Sequence, residues 1–345
     1  MIGDLFEKEL SIDRYLNPFE GFQEKTSSFE IRRDAIADVT ARILPYRFRV
    51  FQRPDVSAYL EKSPPETCPF CLPQRESLTP RFLPDVHPEG RFRRGEAWLF
   101  PNAFPHGRHN AIALFSKDHF LPLDALKPSL MRDAFRICQI YFQRMAQIDG
   151  DLQYASINWN YMPPSGGGLL HPHLQTVIAD KPTRFVQTLC GSARRYEALT
   201  GCRLWDELLA AEKSADERYI GAVGSVQWLT SFAPRGMAGE IAFFLPECYS
   251  LLDVTDDTWG EILDGLARVL AFLDAVNLLS FNLALYGTLR EDRRLCVQGR
   301  IIPRILILPL GASDVNYFDK LHGETICPVT PEQICSDIRS WFGKR

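Results

Sequence analysis

The sequence has 345 residues, of which 46% are hydrophobic and 24% are charged, so it can bury a large core and exceeds one typical domain. Its formal net charge is −4, which argues against nucleic acid or an anionic membrane as the main partner. The acidic N-terminal segment does not resemble a signal peptide, and the most apolar stretch contains Asp274, Asn277 and Asn282, so we expect a cytoplasmic protein without a membrane span.

The first half of the chain predicts a polar N-terminal region followed by strands and one long helix. Residues 1–62 are polar and mixed, with one strand predicted at 42–52 (RILPYRFRVFQ). Clustered apolar and aromatic residues between turn formers then predict strands at 96–101, 110–116 and 153–160. Apolar residues recur at helical spacing from Pro128 to Ile148, which predicts a helix. A glycine run, SGGG, and the stretch HPHLQ follow the last of these strands.

The second half repeats this order. Residues 102–123 superpose on residues 231–252 without a gap, and a predicted helix near 256–275 and a predicted strand at 278–285 follow. We interpret this pattern as a weak internal duplication, and a chance similarity within a 22-residue window is the alternative. The expected fold class is therefore α+β, with two tandem antiparallel sheets that each carry a packed helix.

The duplication divides the chain into two predicted domains. Residues 1–180 are expected to carry the chemistry. Residues 181–345 contain no second HPH and are expected to be a degenerate copy with roles in substrate binding and dimer formation. This second domain ends in a predicted strand at 303–310 and in a helix that begins after its predicted N-cap, Thr330.

Nine cysteines are spread along the chain, seven of them singly, which is typical of reduced core residues rather than of a disulfide framework. Cys68 and Cys71, in CPFC, have the spacing with which two thiolates bind one tetrahedral ion. No second CxxC exists, so the remaining ligands of such a site would be histidines. The candidates are His87, His106, His109, His119, His171 and His173. A redox pair, or a packing role without metal, is the alternative interpretation of CPFC.

The stretch HPHLQ, residues 171–175, carries the second chemical signal. If it is extended, His171, His173 and Gln175 share one face. A neutral imidazole is an effective nucleophile toward phosphorus and needs orientation and hydrogen-bond donors for the developing charge. The backbone amides of residues 165–168 are candidate donors, because glycines let the backbone approach an anion closely. A flexible turn is the alternative interpretation of this loop.

Five motifs occur together in chain order: CPFC, PNAFP, FSKDHF, an asparagine before the glycine loop, and HPHLQ. In this combination the sequence resembles the galactose-1-phosphate uridylyltransferase family of the histidine-triad (HIT) superfamily, which includes ADP-sugar and dinucleoside-polyphosphate phosphorylases. The resemblance is clearest over residues 46–180 and weaker over 230–342. It implies two HIT-like domains and a homodimer whose subunits share active sites.

The resemblance also implies a structural zinc site and a covalent mechanism. The family's zinc ligands are matched by Cys68, Cys71, His119 and His171. Four protein ligands leave no position open for substrate, and a catalytic zinc is the alternative if His119 does not bind. His173 matches the nucleophile that takes the nucleoside monophosphate, and Gln175 matches the glutamine that contacts the phosphoryl group.

Further positions match residues that bind the substrate. They are Asn102 and Phe104 at the nucleoside, Asn160, Gly167 and Gly168 in the phosphate pocket, and Arg53 near the phosphates, with Arg49 as a looser match. Gly168 stands where many family members have a serine. The second HxH of the family is missing, since LSFNLALYG offers only Asn282 and Ala284, so no second metal is expected. The sugar-phosphate segment is matched at best by residues 294–301, which lack its acid, and this makes galactose a doubtful substrate.

We therefore expect a nucleotidyltransferase that moves a nucleoside monophosphate from a nucleotide-sugar or dinucleotide to a sugar 1-phosphate or phosphate through a nucleotidyl-histidine. A phosphorylase, with inorganic phosphate as acceptor, is the nearest alternative. A hydrolase is disfavoured because Gln175 has no titratable proton to support attack by water. A zinc-stabilised nucleotide-binding protein without turnover is the alternative from another class.

Overall fold

The structure is a computed structural model that describes residues 2–45, 52–307 and 311–343. Its strands are β1 (Phe6–Asn17), β2 (Gln23–Asp34), β3 (Val39–Ile43), β4 (Phe92–Arg94), β5 (Ala97–Pro101), β6 (His109–Leu114), β7 (Tyr154–Tyr161), β8 (His173–Ala179), β9 (Tyr219–Val223), β10 (Val226–Thr230), β11 (Ile241–Leu245), β12 (Phe281–Thr288), β13 (Val297–Pro303), β14 (Leu306–Ile307), β15 (Ala312–Ser313) and β16 (Glu324–Cys327). Its α-helices are α1 (Ser57–Lys62), α2 (Gln74–Leu78), α3 (Pro128–Ile148), α4 (Arg184–Thr200), α5 (Leu204–Ala215), α6 (Asp256–Ala275) and α7 (Pro331–Ile338).

One ten-stranded antiparallel sheet runs through the molecule in the order β4-β5-β6-β8-β7-β12-β13-β11-β10-β9. The first five strands belong to one half of the chain and the last five to the other, in mirrored order around the β7–β12 pair. Each half therefore has the same succession of two strands, a third strand, a long helix and two more strands. The α+β fold with antiparallel sheets and packed helices is confirmed, and the two halves are joined into a single sheet.

The two long helices, α3 and α6, lie on one face of this sheet and form its main core. Both begin and end where the sequence predicted, and α3 has Pro128 at its first position, where its missing N–H is not needed. The core continues from one half to the other: the buried Trp259 of α6 donates its Nε1–H to Gln139 Oε1 of α3 at 2.7 Å. The strand alternation of β7 places Ile157 and Trp159 in this core and the residues between them on the opposite face.

The repeated order of elements is confirmed, but the gap-free superposition of 102–123 on 231–252 is wrong within the strands. It pairs Ala113, which lies in the main core, with Ala242, which lies in a cluster on the opposite face of the sheet. The core residue at that point is Phe243. Because side chains alternate along a strand, an error of one residue exchanges the two faces completely.

The opposite face of the sheet is covered differently in the two halves. In the second half, α4 and α5 pack over it and enclose a second apolar cluster. Residues 294–301, the best match to the family's sugar-phosphate segment, contribute most of β13 inside this region. Arg300 is 7% exposed there and pairs with the buried Glu240 at 3.0 Å, so this segment is part of the interior. In the first half the same face carries the CPFC and HPHLQ motifs.

A second sheet, β1-β2-β3-β16, was not predicted. Residues 1–62 were interpreted as polar and without strands before residue 42, whereas β1 and β2 form a hairpin of two 12-residue strands. Most of β1 is exposed, so it lacks the apolar alternation that identifies a half-buried strand. The strand predicted at 42–52 coincides with the structure only at the end of β3, and its residues 46–51 lie outside the described ranges.

The N-terminal sheet packs against the second half of the chain. Arg32 is 2% exposed and pairs with Glu332 of α7 at 2.7 Å, and Ser192 of α4 donates to the Ile36 carbonyl at 2.9 Å. The parallel β3–β16 pair joins the beginning of the chain to its end. The division into domains at residue 180 stays a prediction.

At the C-terminal end, α7 begins as predicted, with the Thr330 hydroxyl accepting the Gln333 N–H at 3.2 Å. The strand predicted at 303–310 is represented by the end of β13 and by β14, and residues 308–310 are not among those described. Five of the seven single cysteines are buried, Cys202 is exposed and Cys248 is intermediate, and none of the described cysteines forms a disulfide. No described helix combines the length and apolarity that a bilayer span requires.

Candidate active site

The CPFC turn brings together the four side chains predicted to bind a metal. Cys68 and Cys71 lie between α1 and α2, His119 lies in the segment after β6, and His171 immediately precedes β8. Their potential ligand atoms all lie within 4.8 Å of one another. Cys71 Sγ is 3.3 Å from His119 Nδ1 and 3.4 Å from His171 Nδ1. Two sulfurs and two ring nitrogens at this separation fit one tetrahedral metal ion.

Backbone carbonyls fix the orientation of both imidazoles. His119 Nε2 is 2.6 Å from the Ser63 carbonyl at the end of α1, and His171 Nε2 is 3.2 Å from the Ser116 carbonyl. With a proton on each Nε2, both Nδ1 lone pairs point toward the Cys71 sulfur. Histidines that bind a metal are commonly held by such a hydrogen bond from the other ring nitrogen.

The electrostatics of the cluster also fit a cation. Burial, together with the neighbouring thiol of Cys68, raises the pKa of Cys71 to about 12. Burial lowers the pKa of His171 to about 3, so this imidazole is neutral and its lone pair is available. Two adjacent buried thiols of this kind become thiolates when a positive ion lies between them. The donor set is therefore suited to a soft divalent cation.

Arg75, which the sequence analysis did not single out, supports the cluster from behind. It is 2% exposed, and it donates to the Phe70 carbonyl at 2.7 Å and to the Ser116 carbonyl at 3.2 Å. The Ser116 carbonyl also faces His171 Nε2, so one guanidinium connects the CPFC turn to the carbonyl that orients a candidate ligand. An isolated arginine on a short helix gives no sequence signal for this role.

His173 is the first residue of β8 and is 7% exposed. Its Nδ1–H donates to the His171 carbonyl at 2.8 Å, which leaves the lone pair on Nε2. Burial lowers the pKa of His173 and keeps the ring neutral. The Phe70 ring contacts it edge-on, with 5.3 Å between ring centroids. In the part of the chain that the structure describes, Nε2 of His173 makes no hydrogen bond.

The predicted common face of HPHLQ is confirmed by the pairing of β8 with β6. His173 and Gln175 pair with Leu114 and Ile112, both of which contact the small cluster around the CPFC turn. Leu174, between them, faces the main core. The backbone carbonyl of Gln175 accepts a hydrogen bond from an asparagine of β7, while its side-chain amide has no partner among the described residues. The amide is therefore available to a bound group.

The glycine loop after β7 offers fewer free donors than the sequence predicted. The amides of Ser165 and Gly167 donate to the Met162 carbonyl, and that of Gly166 donates to the Pro163 carbonyl. The amide of Gly168 is the one loop donor without a hydrogen bond to any described residue. A Cβ on Gly167 would lie 3.0 Å from the Met162 oxygen and 3.1 Å from the Asn160 oxygen, so a side chain there would crowd the loop.

Asn160, at the end of β7, faces the same side of the sheet as the loop. Its Oδ1 accepts a hydrogen bond from Asn282 Nδ2 of β12 at 2.7 Å, and Asn282 Nδ2 also lies 2.8 Å from the Ser165 carbonyl. The Nδ2 of Asn160 has no partner within the described residues. Asn282, which the sequence analysis named as a polar residue in the most apolar stretch and as a position without a histidine, therefore contacts the site from the second half of the chain.

The remaining predicted substrate residues lie farther from this centre. Asn102 accepts the Phe104 N–H at 2.9 Å and donates to Asn110 at 2.7 Å, which builds the turn between β5 and β6. Phe104, at the tip of that turn, is 83% exposed. These contacts bring neither residue to His173.

Arg53 is held by the end of α6. It donates to Asp274 Oδ1 at 2.9 Å and to the Asp274 carbonyl at 3.2 Å. Its neighbours Gln52 and Pro54 line a cavity of about 120 Å³ together with Met162 of the glycine loop. The segment therefore borders the loop although the guanidinium itself contacts α6. Arg49 lies outside the described residues.

Comparison with known proteins identifies proteins of similar sequence and fold. No family model matches the sequence. An uncharacterized protein from Archaeoglobus fulgidus is 28% identical over 338 residues, which cover 97% of this chain and 98% of that protein. An ADP-glucose phosphorylase from Arabidopsis thaliana, solved with bound ADP-glucose, is 17% identical with a TM-score of 0.66, covering 90% of this chain and 98% of the other. A uridylyltransferase is 16% identical with a TM-score of 0.64 over the same shares.

Both structural relatives match nearly the whole of their own length, so the similarity includes the two halves of the fold and their arrangement. At these identities the similarity establishes the fold. The resemblance inferred from CPFC, PNAFP, FSKDHF and HPHLQ is thereby confirmed at the level of the fold, which this chain shares with the ADP-glucose phosphorylase and the uridylyltransferase.

Proposed function

We propose that this protein transfers a nucleoside monophosphate from a nucleotide-sugar to an acceptor through a covalent intermediate on His173. In the first step the Nε2 lone pair forms a bond to the α-phosphorus, and the bond from phosphorus to the oxygen of the departing sugar phosphate breaks. In the second step an oxygen of the acceptor attacks the same phosphorus, and the N–P bond breaks to restore the neutral imidazole.

The observation that carries this proposal is the hydrogen bond from His173 Nδ1 to the His171 carbonyl at 2.8 Å. It fixes the ring and its tautomer, so the nucleophilic lone pair has one direction and needs no deprotonation step. A nucleophile held in this way loses little orientational freedom when it attacks.

Three donors on the same face are suited to the charge that develops on the phosphate oxygens. They are the side-chain amide of Gln175, the Nδ2 of Asn160 and the backbone amide of Gly168. All are neutral, so they stabilise the oxygens without forming an ion pair that would hold the product.

We propose that Cys68, Cys71, His119 and His171 hold zinc with a structural role. A bound zinc would supply a fixed link between the CPFC turn and the HPHLQ strand, with four protein ligands and no position for substrate. The residues that bind and orient the substrate are then those of the chain itself. Since His171 lies two residues before His173, rigidity at the metal site supports the position of the nucleophile.

Two acceptors are considered, and they define two related activities. A sugar 1-phosphate would make the protein a hexose-1-phosphate uridylyltransferase-like enzyme, whereas inorganic phosphate would make it a phosphorylase. The phosphorylase is favoured by the sequence of residues 294–301, which contains no acid to hold sugar hydroxyls. The presence of an ADP-glucose phosphorylase among proteins of this fold supports it further.

The experiment is detection of the intermediate. The zinc-loaded protein is mixed with ADP-glucose or UDP-glucose without acceptor, denatured at alkaline pH to preserve an acid-labile phosphoramidate, and analysed by mass spectrometry. We expect the added mass of AMP or UMP on the peptide that contains His173. Addition of inorganic phosphate or of a sugar 1-phosphate to the isolated adduct then identifies the acceptor. Binding of nucleotide-sugars without any adduct would instead support a nucleotide-binding protein without turnover.

We also propose a homodimer, on the basis of the sequence resemblance, and a cytoplasmic location, on the basis of the free cysteines. Sedimentation equilibrium at micromolar concentration tests the dimer. A monomer under those conditions would contradict it and would leave the chemistry of His173 unaffected.

A further inference from the structure

A chain of hydrogen bonds leads from the second half of the molecule to Asn160. Asn282 of β12 pairs directly with Asn160 of β7 across the junction of the two halves. Asn282 Oδ1 accepts a hydrogen bond from Arg304 Nη1 at 2.9 Å. Arg304 is in turn held by two bonds to Asp314, at 2.8 and 2.6 Å, and Asp314 is 5% exposed.

Arg304 fixes which group donates and which accepts in this series of hydrogen bonds. A guanidinium can only donate hydrogen bonds, so the amide oxygen of Asn282 must face Arg304 and its NH₂ group must face Asn160. Asn160 then accepts through Oδ1, and its own NH₂ group is turned away from Asn282. Without Arg304, only the Ser165 carbonyl would hold the Asn282 amide in this orientation, and a half-turn of both amides would present the Asn160 oxygen to a phosphate.

The same Asn282 NH₂ group also holds the glycine loop. It lies 2.8 Å from the Ser165 carbonyl, at the start of the run that ends with the free amide of Gly168. The Asn282 side chain therefore sets both the orientation of the Asn160 amide group and the position of the glycine loop. Hydrogen bonds in such a series polarise one another, which strengthens the terminal donor.

From this geometry we propose that Asn282 and Arg304 are positioning residues that keep the Asn160 NH₂ group directed at the transferred phosphoryl group. The proposal rests on the proposed function, because it assigns the phosphoryl group as the partner of Asn160. Asp314 keeps Arg304 in place and balances its charge. The second half of the chain, although it has no HPH, would then contribute to each transfer step through this series.

The test is the substitution Asn282→Asp. A carboxylate can accept from Arg304 but cannot donate to Asn160 or to the Ser165 carbonyl, so the Asn160 amide is expected to turn its oxygen toward the phosphate. We expect the rate of adduct formation on His173 to fall by about 10- to 100-fold, approaching the effect of losing one oxyanion donor. Metal content should stay at the wild-type level, and the melting temperature should fall only by the loss of the Ser165 hydrogen bond, because the new carboxylate keeps the contact with Arg304.

A double-mutant cycle separates this role from a general structural effect. If Asn282 acts mainly through Asn160, the loss of rate in the variant Asn160→Ala/Asn282→Asp should be well below the sum of the two single losses. Fully additive losses, or an unchanged rate in Asn282→Asp, would overturn the proposal. The matched control is Asn316→Asp, where the native side chain accepts the Phe318 N–H and a carboxylate does the same. This control should react at the wild-type rate.

A second readout does not depend on the covalent step. The affinities of AMP and adenosine, or of UMP and uridine, are compared by calorimetry in wild type and Asn282→Asp. We expect the preference for the monophosphate over the nucleoside to fall by about 10-fold while nucleoside affinity is unchanged. If the wild type forms no adduct but this shift is seen, the covalent function fails and the positioning role stands. An unchanged preference in the variant contradicts the positioning role.

Discussion

The carbonyl of His171 accepts the Nδ1–H of His173 at 2.8 Å, so the residue proposed to bind a metal also orients the residue proposed to attack phosphorus. The two rings have separate tasks because their Nδ1 atoms face different partners. His171 Nδ1 faces the Cys71 sulfur, and His173 Nδ1 faces the backbone of His171.

This relationship predicts different results from the same substitution at the two histidines. His173→Asn should remain folded, bind metal and nucleotide, and form no adduct, because it removes only the nucleophile. His171→Asn should lose metal and thermal stability together, with activity falling as a consequence. Mass spectrometry, metal analysis and thermal unfolding check these outcomes. An adduct that persists in His173→Asn would refute the mechanism and leave the metal site intact.

Gln175→Ala should slow nucleotidylation without abolishing it. The side-chain amide lies on the face of His173 and is free to donate, so its loss should cost about 2 to 4 kcal/mol of transition-state stabilisation. Gln175→Glu should be slower still, because a carboxylate repels the phosphate oxygens. Single-turnover rates of adduct formation measure both effects. Equal rates for wild type and Gln175→Ala would show that the amide does not contact the reacting group.

Cys68→Ser should lose the metal and have a lower melting temperature than the wild type. A structural zinc contributes its binding free energy to folding, so the apo variant should unfold earlier. The control is Cys202→Ser, at an exposed single cysteine, which should keep one metal ion per chain. Elemental analysis and calorimetry provide the readouts. Full metal content in Cys68→Ser would remove this residue from the ligand set.

Arg75→Lys should weaken the metal site from outside it. Lysine has one donor group and cannot reach both the Phe70 and Ser116 carbonyls, so a buried acceptor is left unpaired at a cost of about 1 to 3 kcal/mol in folding free energy. Metal affinity should fall by about 10- to 100-fold, as for other changes to groups that support metal ligands. Arg93→Lys is the matched control, since Arg93 stacks on the same Trp98 ring as Arg75 but is half exposed.

The buried pair in the second half predicts a pH dependence. Burial alone would raise the pKa of Glu240, but Arg235 and Arg300 outweigh it and hold the pKa at about 2, below its ordinary value of 4.5. A carboxyl with a lowered pKa in the folded state stabilises the protein above its unfolded pKa, and this contribution is lost as the pH falls toward 2. Glu240→Gln should therefore be less stable than wild type at pH 7, by roughly 3 kcal/mol.

The difference in free energy of unfolding between wild type and Glu240→Gln should decrease steadily below about pH 4.5. Urea denaturation at several pH values measures it. Glu247→Gln serves as the control, because the Glu247 side chain is 79% exposed. A gap for Glu240→Gln that stays constant from pH 7 to pH 3 would show that the carboxylate charge contributes nothing to stability.

Much of the fold and the centre of the site could be predicted from the sequence because the signals are local. The spacing in CPFC and HPHLQ fixes which side chains share a face, and the periodicity of 128–148 fixes α3 almost to the residue. The hairpin β1–β2 could not be found in this way, since β1 is largely exposed and the residues that β2 buries most deeply are the charged Arg32 and Asp34. Its stability comes from pairing, which composition does not reveal.

The residues that support the site were missed for a different reason. Arg75, Asn282 and Arg304 each contact a partner that is distant in sequence, namely Ser116, Asn160 and Asn282 in that order. Each is an ordinary polar residue in its own segment. The free amides of the glycine loop were overestimated because the sequence cannot show which of them are already used in local turns. Only the folded backbone shows that Gly168 is the exception.

The pairing of β7 with β12 also determines when the ten-stranded sheet can be completed during synthesis of the chain. Asn160 and Asn282 are 122 residues apart in sequence, so β7 leaves the ribosome about 6 to 24 s before its partner at ordinary translation rates. Until then β7 is an open edge with an apolar face, which is the kind of surface that recruits chaperones or a second nascent chain. The ion pair between Arg32 and Glu332 forms later still, because the two residues are 300 positions apart in the sequence. The half that carries the candidate site is therefore translated first, but its place in the sheet is completed only after β12 has been made.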